Sequence, residues 1–249
     1  MPKYLTIDKK IGETPLGALE RVRNDMVKGD QVNAEIWQNI PMTYAGRLDP
    51  MASGQLIILI GEECKNKEKY LTLNKVYEVT IVFGVTTDTY DALGIPSLIC
   101  DDFHNFDLPD FSKYAKTFKQ QYPPYSSKTV DGEHLHSLSR KNISPIEIPE
   151  KEVSIYSIKT IEPLSTIDSE ELLKRIIASI DLVNGDFRQD EIKQCWREIL
   201  ESKENLNFPR IKIRVHCTSG TYMRSLAFRI GNDIGIGAFA LGINRISIG

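Results

Sequence analysis

The chain has 249 residues, of which 41% are apolar and 26% are charged, and its formal net charge is -3. This composition predicts a globular protein with a sizeable core, and the charge excludes a uniformly basic surface, so that any nucleic-acid-binding face must be local. The cysteine and histidine spacings match no zinc site and no apolar run could span a membrane, so we expect a cytoplasmic protein without metal or signal peptide.

The N-terminal region contains a predictable strand, helix and second strand. Residues 5–8 indicate a short strand. Thr14 and Pro15 then place a hydroxyl cap and a proline where a helix begins, and apolar residues at spacings of three and four continue to Met26. Residues 56–60 are all apolar and predict a buried strand.

The middle of the chain combines an alternating strand with an acidic segment. Residues 76–84 alternate, which predicts a strand with Tyr77, Val79, Ile81 and Phe83 on one face. Residues 163–204 hold ten acidic and six basic residues, a net charge of -4, and contain two amphipathic stripes around a turn at residues 184–186. We interpret residues 163–206 as an acidic helical hairpin inserted into a strand-rich domain.

The C-terminal region is basic. Residues 211–217 alternate as a strand, and a helix is predicted at about residues 221–230. From Arg210 onward there are six basic residues and one acidic residue, which makes this stretch the best candidate for a phosphate-facing surface. Strands mixed with helices, without strict alternation, predict an α+β fold.

Asp49 is the most informative single residue. It follows a glycine turn, is fixed by Pro50, and precedes the apolar strand. A carboxylate on a tight loop beside a buried strand is costly to hold unless it is paired or used. Taken alone, this Asp-Pro pair is also typical of an ordinary surface turn.

Four stretches taken together favour a functional role for Asp49 over an ordinary surface turn. They resemble a known family, and this resemblance covers most of the chain outside the acidic hairpin. They are YAGRLDPMASG at residues 44–54, KVY at 75–77 with TDTYDALG at 87–94, PPYSSK at 123–128, and GTYMRSLA at 220–227 with GIGA at 235–238 and INR at 243–245. In this order they resemble the pseudouridine synthases of the TruB type, which act on the T arm of tRNA. The resemblance implies an α+β catalytic domain with a mixed, mainly antiparallel sheet and a central RNA-binding cleft.

The implied reaction breaks the N1–C1′ bond of a T-loop uridine, turns the uracil and joins C5 to C1′. It needs no cofactor, because there is neither a redox change nor transfer to a second molecule. By resemblance, Asp49 is the catalytic carboxylate at C1′, and Arg224 holds it with two hydrogen bonds. Tyr77 is expected to stack on the uracil.

The resemblance also assigns the surroundings of the base. Tyr222 and Ile243 match residues that line the base pocket, and Lys75 matches a lysine that supports it. The family usually has histidine where this chain has Tyr44, a residue that fills the space left by the flipped base. Arg47 stands where the family favours a small residue, and Arg-Leu-Asp resembles the rRNA-modifying branches of the superfamily.

Residues 123–141 match the mobile thumb loop of the family, in which Lys128, Arg140 and Lys141 are candidates for phosphate contacts, and Arg47 is a fourth candidate. Many relatives continue into a small RNA-binding (PUA-type) domain, whereas this chain stops at Gly249, so we expect one catalytic domain. We also expect a monomer.

Two alternatives stay open. One is an RNA chaperone that clamps and refolds tRNA without chemistry. The other keeps the enzyme but changes its substrate to rRNA or to guide-directed sites. Asp49, Tyr77 and Arg224 favour an enzyme, whereas Arg47 and the short C-terminus leave the substrate open.

Overall fold

The computed structural model describes residues 2–103, 107–130, 132–140 and 148–249, and for residues 136, 139 and 140 it describes the backbone alone. The strands are β1 Tyr4–Lys9, β2 Met42–Ala45, β3 Ala52–Ile60, β4 Lys75–Phe83, β5 Val85–Thr87, β6 Pro96–Leu98, β7 Thr117–Gln121, β8 Thr129–Val130, β9 Glu133–His134, β10 Glu150–Asp168, β11 Asn207–Cys217 and β12 Ala238–Ile248. The helices are α1 Pro15–Gly29, α2 Ala34–Asn39, α3 Lys67–Leu71, α4 Leu135–Arg140, α5 Ser169–Asp181, α6 Gln189–Glu201 and α7 Met223–Asp233.

The main sheet has eight strands in the order β1-β3-β12-β4-β11-β10-β7, with β2 paired to β3 at one side. The β3–β12 pair is parallel, and the other pairs of this sheet are antiparallel. The predicted α+β class with a mixed, mainly antiparallel sheet is therefore confirmed. Because β12 runs parallel to β3 and antiparallel to β4, the loop that precedes β3 and the segment that follows β4 lie at the same end of the sheet.

The predicted N-terminal elements are confirmed. Helix α1 begins at Pro15, and the Thr14 hydroxyl accepts a hydrogen bond from the Gly17 backbone N–H at 3.0 Å. This bond satisfies one of the backbone donors that the first helical turn leaves without a partner. The apolar run at residues 56–60 forms the second half of β3.

Side chains on both faces of the sheet are buried. The alternating residues of β4 pack against α7 in one core cluster, which includes Tyr77, Val79, Ile81, Phe83, Leu226 and Ile230. Val82 points to the opposite face, where it joins a second cluster with the helices α5 and α6. Helix α7 and the helical hairpin therefore cover different faces of the same strands.

The acidic segment does form two helices, but the helical part is shorter than the charge pattern predicts. Residues 165–168 continue β10 in register with β11, so α5 begins only at Ser169. The buried Trp196 of α6 donates from its indole nitrogen to the Ala92 carbonyl at 3.1 Å and packs on Phe239 of β12. The hairpin is thus attached to the turn that follows β5. Across the described ranges, no helix has the length and apolar character needed to cross a bilayer.

Candidate active site

An open cleft of about 650 Å³ lies between the loop before β3, the turn after β5 and the start of α7. Arg188 and Phe187, from the loop between α5 and α6, also line it. The residues singled out from the sequence that line this cleft are Tyr44, Arg47, Asp49, Lys75, Tyr77, Tyr222, Arg224 and Ile243. The fold therefore brings together residues that are far apart in the chain.

Asp49 faces this cleft and is held by Arg224. The loop of residues 46–51 joins β2 to β3, and the Ala52 N–H donates to the Asp49 carbonyl at 3.0 Å. The Arg224 Nε donates to the Asp49 Oδ2 at 2.8 Å. The side chain of Asp49 is 35% exposed and that of Arg224 only 3%. A buried guanidinium thus orients a partly exposed carboxylate that lines the cleft.

The guanidinium does not hold Asp49 with the two hydrogen bonds expected from the sequence. Only Nε reaches that carboxylate, while Nη1 donates to the Thr89 carbonyl at 2.7 Å and Nη2 to the Tyr125 carbonyl at 3.3 Å. A planar fork has donors on several sides, so Arg224 joins three chain segments at one point. Its own orientation is fixed by backbone atoms.

Asp91 is a second carboxylate beside Arg224, and its role was not assigned from the sequence. Its Oδ2 lies 3.5 Å from the Arg224 Nε, while its Oδ1 accepts from the Thr89 hydroxyl at 2.8 Å and the Leu93 N–H at 2.9 Å. Burial raises the pKa of Asp91 to about 6, and the charge of Arg224 opposes that shift. Asp49 and Asp91 in turn raise the pKa of Arg224 against the effect of burial.

The start of α7, which carries Arg224, is fixed from strand β7. The Gln120 side chain accepts from the Tyr222 N–H at 2.8 Å and donates to the Tyr222 carbonyl at 3.0 Å. The Thr221 hydroxyl donates to the Thr218 carbonyl at 2.8 Å. Gln120 therefore replaces the missing side-chain cap at Tyr222, and it was missed because an amide in a strand has no sequence signature.

The pairing register of β12 with its neighbouring strands places Tyr77 and Ile243 at the cleft. Ile243 on β12 pairs with Ala52, three residues after Asp49, and Arg245 pairs with Tyr77. The close approach of β3 and β12 requires glycine at position 54, because a Cβ there would lie 2.3 Å from the Arg245 carbonyl oxygen. Tyr77 is buried, which raises its pKa, although the nearby Arg245 charge opposes the shift.

Arg245 itself is almost fully buried under the Asp49 loop. Its Nε donates to the Gln55 carbonyl at 2.7 Å and its Nη1 to the Arg47 carbonyl at 3.1 Å. Its Nη2 is buried and has no hydrogen-bond partner within the part of the chain that the structure describes. A buried donor of this kind is uncommon in folded proteins.

Two buried lysines support the cleft. The Lys75 ammonium donates to the carbonyls of Leu71, at 2.8 Å, and Leu73. The Lys9 ammonium donates to the Ala52 carbonyl at 2.6 Å, directly after the Asp49 loop. Burial lowers the pKa of each lysine to about 8. Lys75 thus lines the cleft with its charge held by backbone atoms.

The candidates for stacking and phosphate contacts lie at or near the rim. Tyr44 is half-buried on β2, with the Lys67 ammonium 5.2 Å from its ring centre. Arg47 is exposed and donates to the Ser127 hydroxyl, so it links the Asp49 loop to residues 123–130. Lys128 is exposed, next to the cleft-lining Ser127.

The remaining phosphate candidates fall largely outside the structure. Lys141 lies outside the described residues. Arg140 is the last residue of α4, and its side chain is not described. The assignment of both residues therefore stays a prediction.

Several residues of the basic stretch that begins at Arg210 are not free to form the phosphate-facing surface expected from its charge. Arg224 and Arg245 are buried in the site. Arg214 and Lys212 pair with Glu78 on the neighbouring strand. Counting charge along the chain misses this, because strand alternation and strand pairing decide which charges stay exposed.

The chemistry available in the cleft is that of a carboxylate, a guanidinium and aromatic rings. No group of three or more histidine, cysteine or acidic side chains suited to a metal ion occurs among the described residues. An oriented carboxylate in a cleft can act as a nucleophile, a base or an electrostatic stabiliser of an electron-poor carbon.

Comparisons with known proteins agree with this arrangement. The model of the TruB family pseudouridylate synthase N-terminal domain matches residues 35–181. A tRNA pseudouridine synthase B of Bacteroides fragilis is 30% identical over 252 residues, which cover 99% of this chain and 86% of the relative. The tRNA pseudouridine synthase B of Clostridium kluyveri is 28% identical over 253 residues, covering 100% of this chain and 68% of the relative.

A solved structure shows the same fold. A chain in the crystal structure of a Cbf5-Nop10-Gar1 complex superposes with a TM-score of 0.54 and 15% sequence identity. The match covers 99% of this chain and 48% of the other, so the present chain spans about half the length of that solved chain.

Proposed function

Because the chain belongs to the TruB family of pseudouridylate synthases, we propose that it isomerises a uridine in the T loop of tRNA to pseudouridine, with Asp49 as the essential carboxylate. The observation that carries this proposal is the partly exposed Asp49 carboxylate, held in an open cleft by a buried guanidinium. The T arm as substrate and a monomeric, cytoplasmic enzyme are parts of the same proposal.

The reaction rearranges one nucleotide. The N1–C1′ bond breaks, the uracil turns, C5 bonds to C1′, and the proton on C5 leaves while N1 gains one. Positive charge develops at C1′ as the base departs, and the Asp49 carboxylate, beside it, adds to this carbon or removes a neighbouring proton. Arg224 keeps the carboxylate aimed at the cleft, because its two other nitrogens donate to the fixed backbone carbonyls of Thr89 and Tyr125.

The base has a pocket of suitable character. Tyr77 offers an aromatic face for stacking, and Tyr222 and Ile243 line the same cleft. Lys75 supports this pocket through the backbone carbonyls that it binds.

The uridine must leave its RNA stack before Asp49 can reach its sugar. Tyr44, at the cleft wall, is placed to fill the space that the base vacates. Arg47 and Lys128 lie on the rim, where cations meet phosphates, and Arg140 and Lys141 continue the same loop in the sequence.

Tritium release tests the proposal. Purified protein is incubated with a tRNA transcript labelled at uridine C5, and pseudouridine is mapped by carbodiimide treatment and primer extension. We expect release from the transcript and none from a matched transcript with cytidine in place of the T-loop uridine. Binding without release would support a chaperone, and release only from rRNA fragments would support the rRNA-modifying alternative.

Asp91→Asn is expected to remove a pH dependence from the reaction. Because the pKa of Asp91 is about 6, the wild-type kcat/KM should rise through that pH as the ionised form comes to hold Arg224. The free energy of unfolding should change in the opposite direction. The raised pKa of Asp91 stabilises the folded state at pH values below the pKa of this carboxyl in the unfolded chain, and this contribution is lost as the pH rises through about 6. Asparagine keeps the Oδ1 acceptor and should lower the neutral-pH rate roughly tenfold to hundredfold.

The measurement is the profile of kcat/KM from about pH 5 to about pH 8, with urea unfolding at the same pH values. Asp101→Asn is the matched control, because Asp101 is a surface carboxylate paired with Lys203 away from the cleft. If the Asp91→Asn variant keeps the inflection near pH 6, the group that titrates in the wild-type profile is not Asp91.

A further inference from the structure

The inserted hairpin reaches the cleft through the loop of residues 182–188. Phe187 and Arg188 line the cleft, although the rest of the hairpin packs beneath the sheet. The Asn184 N–H donates to the Gly12 carbonyl at 3.3 Å, which fixes this loop on the β1–α1 connection. Gly12 is required there, because its φ is +87° and an added Cβ would lie 1.9 Å from the Leu182 carbonyl oxygen.

Arg188 joins two separate walls of the cleft. Its Nη2 donates to the Asp88 Oδ2 at 2.9 Å, and its guanidinium lies 4.5 Å from the centre of the Tyr125 ring. Its side chain is 23% exposed and that of Asp88 33%, so the pair is only partly screened by water. One side chain therefore binds the turn after β5 and the first residues of the thumb loop.

These two walls are the ones that orient Arg224. The Arg224 Nη1 donates to the carbonyl of Thr89, the residue after Asp88. The Arg224 Nη2 donates to the carbonyl of Tyr125 itself. A change in the separation of the two walls would move an acceptor away from Arg224, and Arg224 in turn sets the direction of Asp49.

The local backbone at Arg188 is unfavourable for an arginine. Its φ is +62°, in the left-handed region, and it occupies the N-cap of α6 without making a side-chain cap bond. Glycine or asparagine adopts this conformation at lower cost, and serine, aspartate or asparagine makes a better cap. Neither the backbone nor the helix start therefore explains an arginine here, whereas its contacts across the cleft do.

We propose that Arg188 is a positioning residue for the isomerisation: it clamps the Asp88 turn to the Tyr125 segment and thereby holds Arg224 and Asp49 in their reactive arrangement. This inference rests on the proposed function of the cleft. It assigns the inserted hairpin a part in catalysis, although the hairpin carries no group that needs to touch the uridine.

Arg188→Gly separates this role from a merely structural one. Glycine relieves the left-handed backbone strain, so the melting temperature should stay equal or rise. The single-turnover rate at saturating tRNA should nevertheless fall roughly tenfold to thirtyfold, with KM changed less than about twofold. Arg188→Lys keeps a cation near Asp88 and should restore part of the rate.

Asp88→Asn tests the other end of the clamp. Asparagine keeps the Oδ1 acceptor for the Ile95 N–H, a bond of 2.8 Å, but loses the charge that attracts Arg188. It should lower the rate by a similar factor, and the double variant should be no slower than the slower single variant. Arg175→Ala is the matched control, because this exposed arginine pairs with Glu171 on the same hairpin.

The outcomes are distinct. An unchanged rate in both Arg188→Gly and Asp88→Asn would overturn the clamp, as would independent effects that multiply in the double variant. A rise in KM with an unchanged saturating rate would show that Arg188 binds RNA instead. Absence of pseudouridine with the wild-type protein would contradict the proposed function itself, before any variant is compared.

Discussion

Asp49→Asn is expected to abolish pseudouridine formation while leaving RNA binding intact. Asparagine has the same shape and can still accept the hydrogen bond from the Arg224 Nε, so the loop should keep its position. It lacks the charge and the nucleophilic oxygen that the electron-poor C1′ requires. Tritium release should fall by at least about ten-thousandfold, as for other residues that act directly on the reacting atom.

The controls address folding and binding. Fluorescence anisotropy with labelled tRNA should give a Kd within about threefold of wild type, because phosphate contacts dominate RNA affinity and Asp49 makes none. Asp190→Asn, at a fully exposed carboxylate on α6, should leave both activity and binding unchanged. If purified Asp49→Asn still converts uridine, another group is the essential carboxylate.

Local structure was predictable where short-range rules decide it. The Thr14 cap and Pro15 predict the start of α1, and the alternation in β4 predicts which of its side chains are buried. The predicted C-terminal helix begins two residues late, at Met223, because Thr221 and Tyr222 form the turn that Gln120 binds. Short-range sequence patterns therefore predict that these helices and strands exist, whereas tertiary contacts decide at which residues they begin and end.

The site itself was only partly predictable. Asp49 and Arg224 are 175 residues apart, and the resemblance to a family, not any local pattern, predicted that they pair. Asp91 lay in a stretch already singled out, yet nothing local shows that its carboxylate is buried beside the same arginine. The composition around Asp91 was nevertheless a signal that it has a partner, because an acidic residue among apolar and small residues needs one when it is buried.

The acidic hairpin shows a second limit of sequence reasoning. Its net charge argues against a grip on RNA and predicts a supporting element or a protein-binding one. The buried Trp196 and its bond to the Ala92 carbonyl agree with the first of these. Of the two hairpin residues that line the cleft, Phe187 and Arg188, the second carries the charge opposite to that of its segment. The net charge of a segment does not reveal such a residue, because function depends on where a single charged side chain lies.

Arg224 is the point at which all these contacts meet. Asp49, the Thr89 carbonyl and the Tyr125 carbonyl each accept one of its donors, and Asp91 lies 3.5 Å away. Its position near the N-terminus of α7 is unfavourable for a cation, because the helix dipole is positive there. Two carboxylates offset that repulsion together with the cost of burial.

Arg224→Lys should therefore impair both folding and reaction. Lysine keeps the charge but is a point donor that cannot reach three acceptors, so the Thr89 and Tyr125 carbonyls lose their donor. We expect the free energy of unfolding to fall by about 2–4 kcal/mol, measured by urea titration. The single-turnover rate should fall roughly hundredfold to thousandfold, because Asp49 is no longer held towards the cleft.

Arg229→Lys distinguishes this effect from a general sensitivity of α7. Arg229 lies on the same helix with its guanidinium over the Phe118 ring at 4.7 Å, and it is far more exposed than Arg224. Its replacement should change the rate less than about twofold and stability by less than about 1 kcal/mol. A near-normal rate in Arg224→Lys would mean that a single positive charge is enough to place Asp49. The three-way hydrogen bonding, and the clamp by Arg188 that supports it, would then serve folding and not catalysis.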